Sequence, residues 1–301
     1  MKQILSPLLA LVLIIAGASL LHGASVILDD TFSSASGTPA AMGYHTSSND
    51  AGLTFTDPDA SDNTMRFAVV NNTGNQGVFK QFPTVNLSDG ETLRLSLKIT
   101  ALSVAAIVNQ LQIALVHSPV TYTSNQAVEI WSYTSGYAFY FDTGSGNTGV
   151  NVRSKSSEAT ARSIFYSSLR GTGSGTLLDG NSYSLTLEIE RVDSATSLLK
   201  ADIDGVSVFT SPIEHTGTPY VSFNTIAIGL RVGSNMTVRS LEFEQVLLSV
   251  VAVPEPDMRM MGVLGIAGMV LTRALRDRRS RQLLFQSSAN RNETSSASCK
   301  N

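Results

Sequence analysis

Cysteine is nearly missing from this chain: 301 residues contain one, Cys299, close to the carboxyl end. A disulfide needs two, so no intrachain bridge can hold the fold and burial alone must do so, which a domain of this size can manage. Charge is also sparse, at 15% Asp, Glu, Lys and Arg, and tryptophan occurs once, as Trp131. The four histidines, His22, His45, His117 and His215, are scattered, with no H-x-x-x-H pair of the kind a zinc site needs. No serine stands in G-x-S-x-G, the turn that presents a hydrolase nucleophile. Residues 26–252 carry 12 Lys and Arg against 20 Asp and Glu, a net of −8, whereas residues 253–301 carry 8 against 4, a net of +4. An acidic main body excludes a basic face for nucleic acid, and the positive charge gathers at one end.

Both ends carry signals that precede any fold argument. The opening "MKQILSPLLALVLIIAGASLLHGAS" has Lys2, an apolar run from Ile4 to Leu21 and small residues at Gly23, Ala24 and Ser25. That order is the signature of a secretory signal peptide, assigned to residues 1–25 with the cut after Ala24 or Ser25.

Residues 26–250 are rich in Ser, Thr, Gly and Asn, in short alternating segments. In "TLRLSLKIT" Leu93, Leu95, Leu97 and Ile99 fall on one face and Arg94, Ser96 and Lys98 on the other; "YSLTLEIER" alternates likewise from Tyr183 to Ile189. Period two predicts strands with one dry and one wet face. Further strands are expected at 64–70, 77–82, 111–116, 137–141, 150–153, 199–203, 206–210, 225–231 and 238–248, the last with a bulge near Gln245. Asp204-Gly205 has the two-residue spacing of a type I′ hairpin. The runs at 143–149 and 170–181 read as loops, and "LSVAAIVNQL" as a short helix, a loop or a strand edge. The expectation is an all-β fold, a two-sheet antiparallel jelly roll or related sandwich over residues 26–250. The succession "LQIALVHS", "GYAFYFDTGSG", "YSLTLEIERVD", "LLKADIDGVSV" and "TIAIGLR" resembles the concanavalin A-like or LamG-like sandwich domains of secreted bacterial surface proteins.

The carboxyl end has three parts. Residues 251–259 form a linker containing Val253, Pro254, Glu255 and Pro256; residues 260–272 carry no charge and are largely apolar; residues 273–301 include Arg273, Arg276, Arg278, Arg279 and Arg281. Each proline fixes its own φ and biases its predecessor toward extended backbone, which holds the triplet open. Thirteen residues of helix reach about 20 Å, short of the roughly 30 Å hydrocarbon core. Arg259 can snorkel at one end while the arginine cluster holds the other in the cytoplasm. Such a span is a weak tether. The order of triplet, short apolar helix and arginine cluster resembles the PEP-CTERM sorting signal. The resemblance implies recognition of Pro254, Glu255 and Pro256 by exosortase, transient residence in the inner membrane, a stop signal at the arginines, and delivery to the cell envelope, cell surface or an exopolysaccharide matrix after cleavage.

Within the domain, Glu188 and Glu190 are the best candidate acid/base pair, two positions apart on one strand and so about 7 Å from each other. The pattern "LEIERVD" departs from the Glu-x-Asp-x-x-Glu arrangement of laminarinase-like enzymes and reads as a solvated polar face, so no catalytic residue is assigned. Asp57, Asp59 and Asp62 in "DPDASDN", and Asp142 with Asn147 in "FDTGSGN", are weak Ca²⁺ candidates without the EF-hand spacing. Trp131, Tyr133, Tyr137 and Tyr140 supply aromatic side chains for a glycan platform, but strand parity sends Tyr137, Phe139 and Phe141 inward, leaving Tyr140 and Trp131 as glycan contacts. The expectation is an exported, non-enzymatic surface or matrix protein with exosortase and an exopolysaccharide or other envelope glycan as partners. The alternative is a secreted glucanase- or lyase-type enzyme.

Overall fold

The computed structural model describes residues 24–32, 39–46, 53–56, 64–69, 77–103, 107–124, 134–144, 149–156, 168–230 and 239–252. The sorting triplet, the apolar segment, the arginine cluster, the signal peptide through Gly23, Asp57, Asp59, Asp62, Trp131, Tyr133 and Asn147 lie outside the described residues. Seventeen strands follow one another along the described chain. One sheet is built from β1 (Ser25–Asp30), β3 (Leu53–Thr56), β4 (Met65–Val69), β6 (Glu91–Ser103), β12 (Ser182–Asp193), β13 (Thr196–Ile203), β14 (Val206–Ser207), β15 (Ile213–Thr216) and β17 (Arg239–Ala252). The other contains β2 (Tyr44–Thr46), β5 (Gly77–Asn86), β7 (Ile107–His117), β8 (Ser135–Thr143), β9 (Gly149–Lys155), β10 (Ser168–Ser174), β11 (Thr176–Leu177) and β16 (Ser222–Leu230).

The first sheet runs β14-β13-β12-β6-β17-β4-β3, with β1 against β17 and β15 against β13; the second runs β10-β9-β8-β7-β16-β5-β2, with β11 parallel to β8. Every other pairing is antiparallel, and the described residues thus form an all-β, two-sheet sandwich. The alternation seen in the sequence sets the core. Leu93, Leu95, Leu97 and Ile99 of β6 and Leu185, Leu187 and Ile189 of β12 are fully buried, in one apolar cluster with Leu111, Ile113 and Leu115 of β7 and Tyr137, Phe139 and Phe141 of β8. Each buried leucine of this kind contributes about 2 kcal/mol of apolar transfer, which is how a disulfide-free fold holds.

Polar groups also tie the two sheets. The Asp30 carboxylate on β1 accepts from Lys80 Nζ of β5 and from Tyr44 Oη of β2, each at 2.7 Å. Burial, with Asp30 alongside, pushes the Tyr44 phenol well above its ordinary value.

Three local expectations meet the structure directly. Asp204 and Gly205 both have positive φ, 52° and 77°, between the paired Ile203 and Val206, as a type I′ turn requires. The register of β17 against β6 shifts between Phe243 and Gln245, where the alternation slips. The 170–181 stretch, by contrast, is not a loop throughout: Gly171 and Gly173 sit in β10, at positions where a side chain would collide. A Cβ on Gly171 would stand 2.5 Å from Ile213 Cδ1, and one on Gly173 2.3 Å from the Val208 carbonyl oxygen. The expected strand at 206–210 is also shorter, ending at Ser207, because Val208 and Phe209 turn into the core. In "LSVAAIVNQL" the strand reading holds on both sides, β6 reaching Ser103 and β7 starting at Ile107.

Candidate functional site

The face of the second sheet turned away from the shared core carries the densest set of functional side chains. Its composition follows from parity: β8 gives Tyr137, Phe139 and Phe141 to the core, so Ala138 and Tyr140 face the other way. Antiparallel register then aligns residues in rows across the sheet. One row reads Gln112, Tyr140, Asn151, Thr172 on β7, β8, β9 and β10. The next reads His45, Phe79, Ala227, Ala114, Ala138, Arg153 on β2, β5, β16, β7, β8 and β9. A third reads Gln81, Thr225, Val116, Gly136, Lys155.

In the second row small side chains occupy the middle and larger ones the flanks. Ala227, Ala114 and Ala138 form a floor. His45 and Phe79 stand on one side with ring centroids 5.6 Å apart, and Tyr122 packs edge-on to Phe79 at 5.5 Å. On the other side the Arg153 guanidinium lies over the Tyr140 ring, 5.1 Å from its centroid. Phe79, Ala114, Val116, Ala138, Tyr140 and Ala227 make a second buried apolar cluster with Tyr122 against it. Tyr140 therefore faces as parity predicts but is only 3% exposed.

Two side-chain amides strap residues 118–122 along this face. Asn224 on β16 accepts from the Ser118 N–H at 2.8 Å and donates to its carbonyl at 2.7 Å. Gln81 on β5 donates to the Val120 carbonyl and accepts from the Tyr122 N–H, both at 2.7 Å. Each amide copies the donor-acceptor pair of a strand edge. Lys155 is 2% exposed, with Nζ 3.1 Å from Thr134 Oγ1, and burial lowers its ammonium to about 8.

Asp142 uses its carboxylate on the backbone, accepting the Gly149 N–H at 2.7 Å and closing the loop between β8 and β9. A Cβ on residue 149 would lie 2.5 Å from Asp142 Oδ2, so a side chain there would push the carboxylate aside. Among the described residues no group of three or more His, Cys, Asp or Glu is placed to hold a metal ion.

Glu188 and Glu190 sit together on β12, on the outward face of the first sheet. Register sets Glu188 between Arg94 of β6 and Lys200 of β13. Its carboxylate meets Arg94 Nη2 at 2.6 Å and Lys200 Nζ at 3.9 Å, while Glu190 meets Lys200 Nζ at 2.6 Å. Every charge in this ladder has an opposite within reach, the pattern of a solvated sheet face in which each pair contributes at most about 1 kcal/mol. The histidines stand apart: His45 borders the outer face of the second sheet, His117 ends β7, and His215 on β15 bonds Tyr137 inside the sandwich, Oη to Nδ1 at 2.7 Å. The sequence reading overlooked Arg153, Lys155 and the Tyr137–His215 bond. The alternation of Val150 and Val152 with Asn151, Arg153 and Lys155 carries a signal for the first two, but no spacing announces a contact between residues 78 positions apart.

No protein family model matches the chain. No curated protein matches it. Solved structures do. A mutant of alginate lyase Aly36B in complex with alginate tetrasaccharide is 13% identical, aligned over 77% of this chain and 98% of its own, with a TM-score of 0.45. The metal-free carbohydrate recognition domain of Emp46p is 12% identical over 69% of this chain and 88% of its own, TM-score 0.44. An endo-1,3-β-glucanase from Streptomyces sioyaensis is 10% identical over 77% and 98%, TM-score 0.47.

Proposed function

We propose that this chain is an exported, non-catalytic protein of the cell surface or an exopolysaccharide matrix, whose concanavalin A-like sandwich binds saccharide on the outer face of the second sheet. One observation carries the reading: over a buried floor of alanines and aromatic rings, the face presents half-buried Asn151 and exposed Thr172 in register with Tyr140, and half-buried Arg153 beside them. Sugars present hydroxyls that pair with amide, hydroxyl and guanidinium groups, so such a face suits them. The paired carboxylates of β12 support a non-catalytic role, since Glu188 and Glu190 each face a cation and lie on the other sheet. The sorting half of the proposal rests on the tail. The triplet Pro254-Glu255-Pro256 follows two residues after the end of β17, where exosortase would meet it beside the inner membrane.

Glycan-array binding of the mature protein tests the saccharide reading. Asn151→Leu is expected to weaken the best glycan at least tenfold with the melting temperature unchanged, and equal binding by wild type and variant removes the proposed face. One observation favours the enzyme alternative, the Lys155 ammonium lowered to about 8 on that same face, since a group titrating there can accept a proton near neutrality. Release of reducing ends or unsaturated products from any polysaccharide, abolished in Lys155→Met, would replace the binding reading with a glycan-active enzyme.

A further inference from the structure

A second group of chemically capable side chains lies at one margin of the sandwich, where β10 of the second sheet meets β15 of the first. Glycine at position 171 lets β10 approach Ile213 of β15, and the Ser174 N–H donates across to the Val208 carbonyl at 2.8 Å. The register of β10 against β9 slips between Leu169 and Gly171, which leaves Arg170 as the extra residue of a bulge. Bulges re-aim side chains. Here the displaced Arg170 donates from Nε to Ser154 Oγ at 2.6 Å, and Ser154 is the cross-strand partner of Tyr137.

Three rings meet beside it. The centroids of Tyr137 and His215 are 5.6 Å apart, those of Tyr137 and Tyr220 5.4 Å, and those of His215 and Tyr220 5.8 Å. Tyr137 Oη takes the Tyr220 N–H at 3.0 Å as well as the contact with His215, so its position is fixed from two sides. Tyr220 is half-buried and Arg170 exposed at the rim. Among the described residues no carboxylate pairs with Arg170, whereas Arg66, Arg94 and Arg191 of the first sheet each have one. The charge of Arg170 is felt by the rings: it adds to the burial that holds His215 below its ordinary value, and it opposes the burial that raises Tyr220.

We propose that Arg170 and Tyr220, backed by the buried His215, form a binding site for the carboxylate of a uronic acid residue in an acidic saccharide. The guanidinium of Arg170 supplies a fork whose remaining N–H groups match a carboxylate in two parallel bonds. The Tyr220 ring offers a plane for the sugar, and Ser154 acts as a positioning residue by fixing the Arg170 head. His215 contributes through its protonated form, because a bound anion offsets the Arg170 field and favours the imidazolium. Affinity therefore rises as pH falls below the ordinary histidine range. Among the described residues, Arg170, Tyr137 and Tyr220 are the titratable groups around His215, with Ser154 and Ser197 the neutral hydroxyls beside them. The site is separate from the outer face of the second sheet, but the choice of a saccharide rests on the saccharide-binding reading.

The experiment uses the full mature chain with a galacturonic acid tetrasaccharide, and the same tetrasaccharide fully methyl-esterified as its uncharged control. Calorimetry and ring-proton NMR are read together. The expected result is binding of the acid, with shifts at His215 and Tyr220, tenfold or greater loss in Arg170→Ala, partial rescue in Arg170→Lys, and a smaller loss in Ser154→Ala. Binding at pH 5 is expected to be severalfold tighter than at pH 7.5, with the difference gone in His215→Gln. Equal binding of acid and ester overturns the proposal, as does unchanged affinity in Arg170→Ala. Shifts confined to the neighbourhood of Asn151 overturn it too, while leaving the proposed function standing. Arg170 is exposed, so its variants are expected to fold, and a second pair separates ring from fold: Tyr220→Phe, which keeps the ring, is expected to hold its affinity for the acid, and Tyr220→Leu, which removes it, must lose affinity.

Discussion

At the scale of single residues, the Tyr137–His215 bond has a consequence for stability that needs no ligand. Burial, then Arg170, holds His215 below its ordinary value in the folded chain. The unfolded chain thus binds that proton more readily, and by linkage stability is complete above about pH 6.5 and falls as pH drops from there through the folded value. His45 is lowered by burial as well and adds a contribution of the same sign. Melting temperatures taken at pH 7.5 and pH 5 are expected to differ less in His215→Gln than in the wild type, the remainder belonging to His45. An unchanged difference would mean that His215 takes its proton as easily folded as unfolded. Tyr137→Phe is expected to cost about 1–3 kcal/mol at neutral pH, since it strips the partner from a buried imidazole nitrogen and from the Tyr220 N–H together. Little of this was legible from the chain: parity puts Tyr137 inside, yet His215 stands in a four-residue strand too short to announce itself, and the bond crosses between sheets.

At the scale of elements, alternation was the readable signal and glycine the misleading one. The long strands β6 and β12 place hydrophobic residues at every second position, so their inward faces follow from the sequence, and the slip at Gln245 appears as a bulge. The run Gly171, Gly173 and Gly175 reads as a turn by composition, but it sits where the margins of two sheets touch and a Cβ has no room. A glycine needed for closeness and one needed for a positive φ look alike in a sequence. They differ on substitution. Gly173→Ala drives a methyl group to within 2.3 Å of the Val208 carbonyl oxygen, a backbone atom that cannot rotate away, and is expected to cost more than about 2 kcal/mol in chemical denaturation. Gly90→Ala meets nothing within 4 Å and strains only its φ of 80°, so about 1 kcal/mol is expected. A smaller loss in Gly173→Ala than in Gly90→Ala would put the close approach of β10 in error.

At the scale of the whole molecule, the two ends of the described chain are neighbours. Ser25, first residue of β1, pairs with Val250 of β17, and Ala252 pairs with Glu91. A cut after Ala24 leaves all of β1, while a cut after Ser25 removes its outermost pair. A cut at the triplet 254–256 leaves β17 whole, because that strand ends at Ala252. The sorting reading therefore carries a physical corollary: the sandwich can be released without loss of any strand. The intact mass of the protein purified from its own host is expected to end near Pro254 to Pro256, and a chain stopped at Pro256 is expected to melt within a degree or two of one running to Asn301. Stopping instead at Phe243 removes the half of β17 that pairs with β1 and with Leu93, Leu95 and Leu97 of β6. With Val246 and Leu248 gone from the core, that chain is expected not to fold. A host protein whose mass runs to Asn301 in the inner membrane would remove exosortase from the account, yet leave the sandwich and both proposed sites as they are.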